Sequence, residues 1–320
     1  MKKLMISGLY VILGAAVLFA SGQQAGKTRT TLRMATGGNT GTYYAYGSAV
    51  GQILSEKIGI PIAIQSTGAS KANIQLIAAQ EVELAIVQND IMDYAYNGTE
   101  LFIGEQTQSF STIAALYAEV CQIIANPASG ISTIADLKGK RVSVGDAGSG
   151  TEFNAQQILR AYGIELTDID KQNLSFGASA DALRDNKIDA FFCTAGAPTI
   201  AIVDLSMGRN IVLLEIDNDH AAQLIRDFPF YTHYPIPART YRGVDRNVQT
   251  LAVKATLIAN NQLSEDTVYN LTKNLFESKE QIQNAHVKGT ELATEYAVSG
   301  ISVPFHPGAA RYFREIGVLR

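Results

Sequence analysis

From Leu32 onward the chain alternates short strand-like runs with amphipathic helical runs, and partway along it restarts the same rhythm. No other feature constrains the fold as tightly. TLRMA (31–35) reads as a strand. Tyr44 to Ile58 reads as a helix, with Tyr46, Val50, Ile53, Leu54 and Ile58 on one side. IPIAIQS (60–66) is a strand, a helix runs from Ser70 to about Gln80, ELAIVQ (83–88) is a strand, and DIMDYAYNG (90–98) is a short helix closed by Asn97-Gly98. STIAALYAEVCQIIANP (111–127) then supplies two strands' worth of apolar residues. Beyond it RVSVG, NLSFG, DAFFCT and IVLLEI are strands, with helices at 150–162, 179–186 and 198–207 between them. Strands spaced by helices predict βαβ units and a parallel sheet.

After Asp217, HAAQLIRDF is a helix, YTHYPIPARTY a proline-rich loop, and VQTLAVKATLIAN a strand that can cross back to the first unit. Helices at 264–276, 279–285, 290–298 and 308–316 complete the chain. The expected organisation is two α/β lobes, 29–118 with 217–320 and 119–216, around a ligand cleft, with the crossing segments as a hinge. Ligands of open parallel sheets bind outside the carboxyl ends of the strands.

The N-terminus reads as a targeting segment. Lys2 and Lys3 precede an apolar run from Leu4 to Phe19, followed by Ala20-Ser21-Gly22. This is the pattern of a signal peptide (1–22) cleaved on export to the periplasm. An uncleaved anchor is the alternative, since the run is near the lower limit for spanning a membrane. Ser21 stands where a lipobox would have cysteine, so no lipid anchor is expected. Loss of 1–22 leaves 24 Lys and Arg against 30 Asp and Glu. That balance argues against a nucleic-acid partner, which would call for a basic stripe. Export permits a disulfide, but Cys121 and Cys193 each sit in an apolar strand and read as structural thiols; no cysteine–histidine cluster offers a metal site.

Four strand-to-helix corners could carry chemistry: TGGNTGTYY (36–44), STGASKAN (66–73), GDAGSGTEFN (145–154) and CTAGAPT (193–199). Ser149 and Glu152 fit a capping box, and Pro198 fits a first helical turn. Such residues also serve turns and caps with no further role. Phosphate fits poorly, because the P-loop lysine and the dinucleotide glycine spacing are missing. What remains is free N–H groups at helix starts with hydroxyls beside them, which suit a small carboxylate. Asp146 and Glu152 would repel a phosphate and could receive an ammonium group. Tyr43 can project into the cleft while Tyr46 joins the core; Lys71 can pair with a carboxylate or be solvated. Asp90 and Asp93 read as solvated helix-start residues rather than an acid/base pair. All four histidines lie at or beyond position 220, and no hydrolase or metalloprotease motif occurs, so no enzyme, cofactor or metal is expected.

ATGGNTGTYYAYG, STGASKANIQLIAAQEVELAIVQND, DLKGKRVSVGDAGSGTEFNAQQIL, KIDAFFCTAGAPT and PFHPGAARYFREIGV occur in that order. Together they resemble the TAXI family of solute receptors of TRAP transporters, over about Leu32 to Val318. The resemblance implies the type II periplasmic binding-protein fold. It further implies capture of a small carboxylate or amino acid, such as glutamate, glutamine or a related dicarboxylate, for an ion-gradient-driven TRAP permease. It assigns ligand contact to Thr40, Gly41, Thr42 and Tyr43 and to Ser149, Gly150 and Thr151, with Gln88, Asp90 and Thr194 as further positions. The chain departs from the family pattern at STGASKAN, where Ser70 and Lys71 follow the corner and alter the local charge. No arginine stands in the four corners. A monomer is expected. A sensing module docking on a signalling partner, or an exported enzyme on the same scaffold, are the competing readings.

Overall fold

The computed structural model describes residues 31–320; the expected signal peptide, residues 1–22, lies outside the described residues. The first βα units are β1 (Leu32–Ala35), α1 (Thr42–Ile58), β2 (Ile62–Gln65), α2 (Ser70–Ala78), β3 (Leu84–Gln88) and α3 (Asn89–Asn97). The long β4 (Phe110–Ala125) leads to β5 (Arg141–Ser143), α4 (Gly150–Ala161), β6 (Asp170–Gln172), α5 (Phe176–Arg184), β7 (Ala190–Ala195), α6 (Ile200–Gly208) and β8 (Val212–Leu213). Then come α7 (Asn218–Asp227), β9 (Thr232–Ile236), β10 (Val248–Asn260), α8 (Glu265–Glu277), α9 (Lys279–Ala285), α10 (Thr294–Val298) and α11 (Pro307–Glu315).

The strands form one sheet in the order β2-β1-β3-β10-β4-β7-β5-β6, with β8 on β4 and β9 on β10. Pairs within each α/β half are parallel, as the alternation predicts. The two centre strands are antiparallel to their neighbours. The apolar run at 111–127 is a single strand serving two halves. Phe110 to Tyr117 pair with Asn260 to Ala255 of β10, and Val120 to Ala125 pair with Ala195 to Ala190 of β7. It shows no polar alternation because it is covered on both faces. Its pairing with β10 shifts register twice, near Ala255 and Leu257. Bulges of this kind add local twist.

Four apolar clusters lie on the two faces of the two sheet halves. Met34, Tyr46, Leu54 and Leu84 build one, and Ala35, Ile74, Val87 and Ile91 the cluster across the sheet from it. Val142, Ile158 and Phe192 build a third, and Leu183, Phe191, Cys193 and Leu205 the fourth. Ala221, Leu224, Tyr231, Leu251 and Val253 join the third cluster. Residues 217–253 thus pack with 119–216, and no change of core occurs at 217.

Three local expectations fail. NLSFG is not a strand: β6 comes just before it, and Ser175 caps α5 by accepting from the Ala178 N–H. The segment YTHYPIPARTY is not all loop, since β9 lies within it. Pro235 stands opposite Gln249 there, a position open to proline because β9 sits outside the main strand path. Pro198 precedes the N-cap of α6 instead of occupying its first turn, and its peptide bond is cis. Cys121 and Cys193 are free and buried, as structural thiols should be. No helix among the described residues is long and apolar enough to cross a membrane, and none of their side chains cluster as a metal site.

Candidate ligand cavity

The cavity lies between the two sheet halves, at the carboxyl ends of β1, β3, β5 and β7, with β4 crossing beneath it. Its lining bounds about 490 Å³ of atom-free space, solvent at the mouth included.

The corner after β1 contributes Gly37, Gly38, Gly41, Thr42 and Tyr43. Gly41 is the N-cap of α1 and has no side chain to cap with. The first-turn N–H groups of that helix therefore lack a side-chain acceptor. Thr42 Oγ1 donates to the Gly196 carbonyl of the other half at 2.8 Å. Tyr43 Oη donates to Glu119 Oε2 at 2.7 Å. Burial, reinforced by the neighbouring carboxylate, raises the Tyr43 phenol well above its ordinary value, so it stays a donor.

The corner after β5 contributes Asp146, Ser149, Gly150 and Thr151. Ser149 caps α4, accepting from the Glu152 N–H at 3.1 Å. The expected reciprocal bond is displaced by one residue: Glu152 Oε2 accepts from Gly148 N at 2.7 Å. Burial works to raise the Glu152 carboxyl, but bonds from Lys171, Gly148 and Asn173 hold it below its ordinary value. It is therefore committed and no ammonium receptor. Asp146 keeps its place on the cavity wall, its carboxyl raised by burial. Thr151 Oγ1 accepts from Thr194 N at 3.3 Å, and Thr194 lines the wall beside it.

Ser70 and Gln88 complete the first-half wall. Ser70 Oγ accepts from Gln88 N at 3.1 Å. Gln88 Nε2 donates to Asn154 Oδ1 at 2.9 Å, while its Oε1 is buried without a partner. That oxygen lies over Gly150. A Cβ at position 150 would sit 1.3 Å from it, so only glycine permits this approach.

Three expected contacts lie elsewhere. Lys71 extends along the outer seam, donating to Leu101 O at 2.9 Å and pairing with Glu105 at 3.0 Å. The long lysine stem reaches a carbonyl and a carboxylate there without leaving solvent. Asp90 is not solvated but buried. It accepts from Asn154 Nδ2 at 3.0 Å and Ile91 N at 2.8 Å, and burial raises its pKa to about 6. Thr40 packs against Gly177, and its carbonyl accepts from Ala201 N at 3.3 Å. Asp90 and Thr40 therefore join the halves instead of lining the cavity.

Two cavity residues escaped the sequence reading. Phe176 lies in the segment misread as a strand. Glu119 is the larger omission: it is 3% exposed, stands on β4 at the cavity floor, and burial lifts its carboxyl well above the usual range against the Tyr43 hydrogen bond. A lone acid inside AALYAEVCQIIA was the available signal, since unpaired acids seldom enter an apolar strand. Lys288, 2% exposed, is held by Glu291 at 2.6 Å and stands outside the cavity lining.

The NMT1-like family description matches residues 34–317. The chain belongs to the NMT1-like family. Among solved structures it is similar to PhnD1 from Prochlorococcus marinus in complex with methylphosphonate. The identity is 11%, over 91% of this chain and 99% of that one, with a TM-score of 0.57. It is also similar to the GluR0 ligand-binding core from Nostoc punctiforme in complex with L-glutamate (17% identity, 80% and 98% covered, TM-score 0.52). A third is the alkanesulfonate-binding protein SsuA from Xanthomonas axonopodis pv. citri bound to MOPS (12%, 91% and 94%, TM-score 0.50). The fold of this NMT1-like chain is thus the type II periplasmic binding-protein fold, two α/β lobes about a ligand cleft.

Proposed function

We propose that this protein is an extracytoplasmic solute-binding receptor that captures a small carboxylate by closing its two halves and delivers it to a membrane permease. One observation carries the reading. Two helix starts, at Gly41–Tyr43 and Ser149–Thr151, open on one small cavity from opposite halves. Helix starts favour anions, and first-turn N–H groups supply the donors. The boundaries we propose for the halves are 31–118 with 254–320, and 119–253, because the packing of 217–253 follows the second half. Ligand contacts are assigned to Gly41, Thr42, Tyr43, Ser70, Gln88, Ser149, Gly150, Thr151 and Thr194, with Glu119 added. Glutamate, glutamine and related dicarboxylates are the first ligands to try. The ordered motifs that resemble TAXI receptors support a TRAP permease as the partner, driven by an ion gradient, and the N-terminal segment supports a periplasmic location.

Calorimetric titration with glutamate, glutamine, 2-oxoglutarate and small dicarboxylates tests the binding. The expected outcome is saturable heat with at least one of them. A folded protein that binds none would sink the reading. Uptake into vesicles holding a TRAP permease, with and without a sodium gradient, tests the partner.

A further inference from the structure

We propose that Glu119 anchors a protonated amine of the ligand, so that the cavity takes α-amino acids and rejects the matching plain carboxylates. The inference rests on the receptor reading above and narrows it. The cavity wall holds two carboxyl groups, Glu119 and Asp146, and no lysine, arginine or histidine lines it among the described residues. One Glu119 oxygen is satisfied by Tyr43 at 2.7 Å; the other has no protein donor. Gln88, 2% exposed in the same wall, leaves Oε1 with no partner because its Nε2 is committed to Asn154. Gln88 Oε1 is thus a buried acceptor without a donor, which is costly to leave, and Glu119 keeps a second oxygen free of protein partners on the same wall. The starts of α1 and α4 border the same cavity and offer donors. A zwitterion satisfies both ends at once. A dicarboxylate of the same length would set its second negative group against Glu119. The buried cation nearby does not change this, since Lys288 is spent on Glu291 at 2.6 Å and lies against the rings of Tyr117 and Tyr234.

Before the ligand enters, burial favours the neutral acid at Glu119. The groups that act on it are Tyr43 from α1, Asp90 from α3 and Lys288 from the segment after α9, and only Lys288 brings a positive charge. An arriving ammonium group pairs with the carboxylate, and the carboxyl proton leaves to solvent. Binding therefore releases protons, and the amine keeps all of its own.

The test is calorimetry on the mature protein with the common L-amino acids, each paired with its 2-oxo analogue, such as L-glutamate with 2-oxoglutarate and L-alanine with pyruvate. The amino acid of any pair that binds should be favoured by on the order of 100-fold. Heats measured in phosphate and in Tris should differ by the released proton. Glu119→Gln should bring the ratio within about tenfold and abolish the release. Tyr43→Phe keeps the carboxylate and should narrow the ratio less; it serves if Glu119→Gln does not fold. A 2-oxo acid bound as tightly as its amino acid, or an unchanged ratio in both variants, would overturn the inference while the receptor reading stands. A folded protein that binds no member of any pair overturns both.

Discussion

The two glycine-rich corners look like copies in sequence and differ in construction. Gly41 leaves α1 without a side-chain cap, and its neighbours Thr42 and Tyr43 reach outward, to Gly196 and Glu119. The second corner is turned inward. Ser149 caps α4, and Glu152 ties Gly148, Lys171 and Asn173 together. One corner is left open for a partner, and the other is braced so that Gly150 can be pressed against Gln88. Similar residue types thus mark similar turns, while the bonds each turn leaves unmade separate recognition from support.

Substitutions separate these roles. Gly150→Ala should act most strongly, since its Cβ overlaps Gln88 Oε1. The overlapped amide ends a flexible side chain, so Gln88 must swing off Asn154 and the halves lose that bond, with affinity lowered by up to about 3 kcal/mol. Gly41→Ala meets its nearest atom at 3.2 Å and should cost about 1 kcal/mol or less. Equal calorimetric losses in the two would dissolve the contrast.

Next in size is the seam itself. Burial raises Asp90 to about 6 from its ordinary 3.8. An acid raised by folding gives stability that is fully present below about pH 4 and is lost as pH climbs through 6. The change is about 3 kcal/mol at about 1.4 kcal/mol per tenfold change in proton activity. Asp90→Asn should flatten denaturant stability measured between pH 4 and 7; an unchanged slope would place the effect on another group. Thr42→Ala removes the bond to Gly196 and should weaken ligand binding by about 1–3 kcal/mol with little change in melting temperature. Ser149→Ala should lower stability by about 1 kcal/mol as a lost cap, on top of any loss of binding. If Ser149→Ala leaves stability unchanged, or Thr42→Ala lowers it as much, the open and braced descriptions fail together.

Much of the fold was legible because hydrophobic period reports local structure. The βα rhythm and the crossing role of 248–260 could be read directly. β6 could not: its residues, Asp-Lys-Gln, are polar and mostly exposed at the sheet edge, while apolar NLSF beside it drew the assignment. The corners were legible as helix starts, and most of their residues line the cavity. Lys71 misled because residue type cannot tell which way a long side chain leaves its helix. Glu119 was missed because its meaning comes from Tyr43, 76 positions away, and such pairing exists only after folding.

The single strand β4 has a thermodynamic consequence. Its first half is a wall of one core and its second half a wall of the other, with no linker between them. Neither half can melt while leaving the other its full complement of strand hydrogen bonds. The molecule should therefore show one calorimetric unfolding transition, despite its two cores, and neither half cut out at β4 should fold alone. Motion between the halves must be a twist carried along continuous strands, so ligand capture and global stability draw on the same backbone.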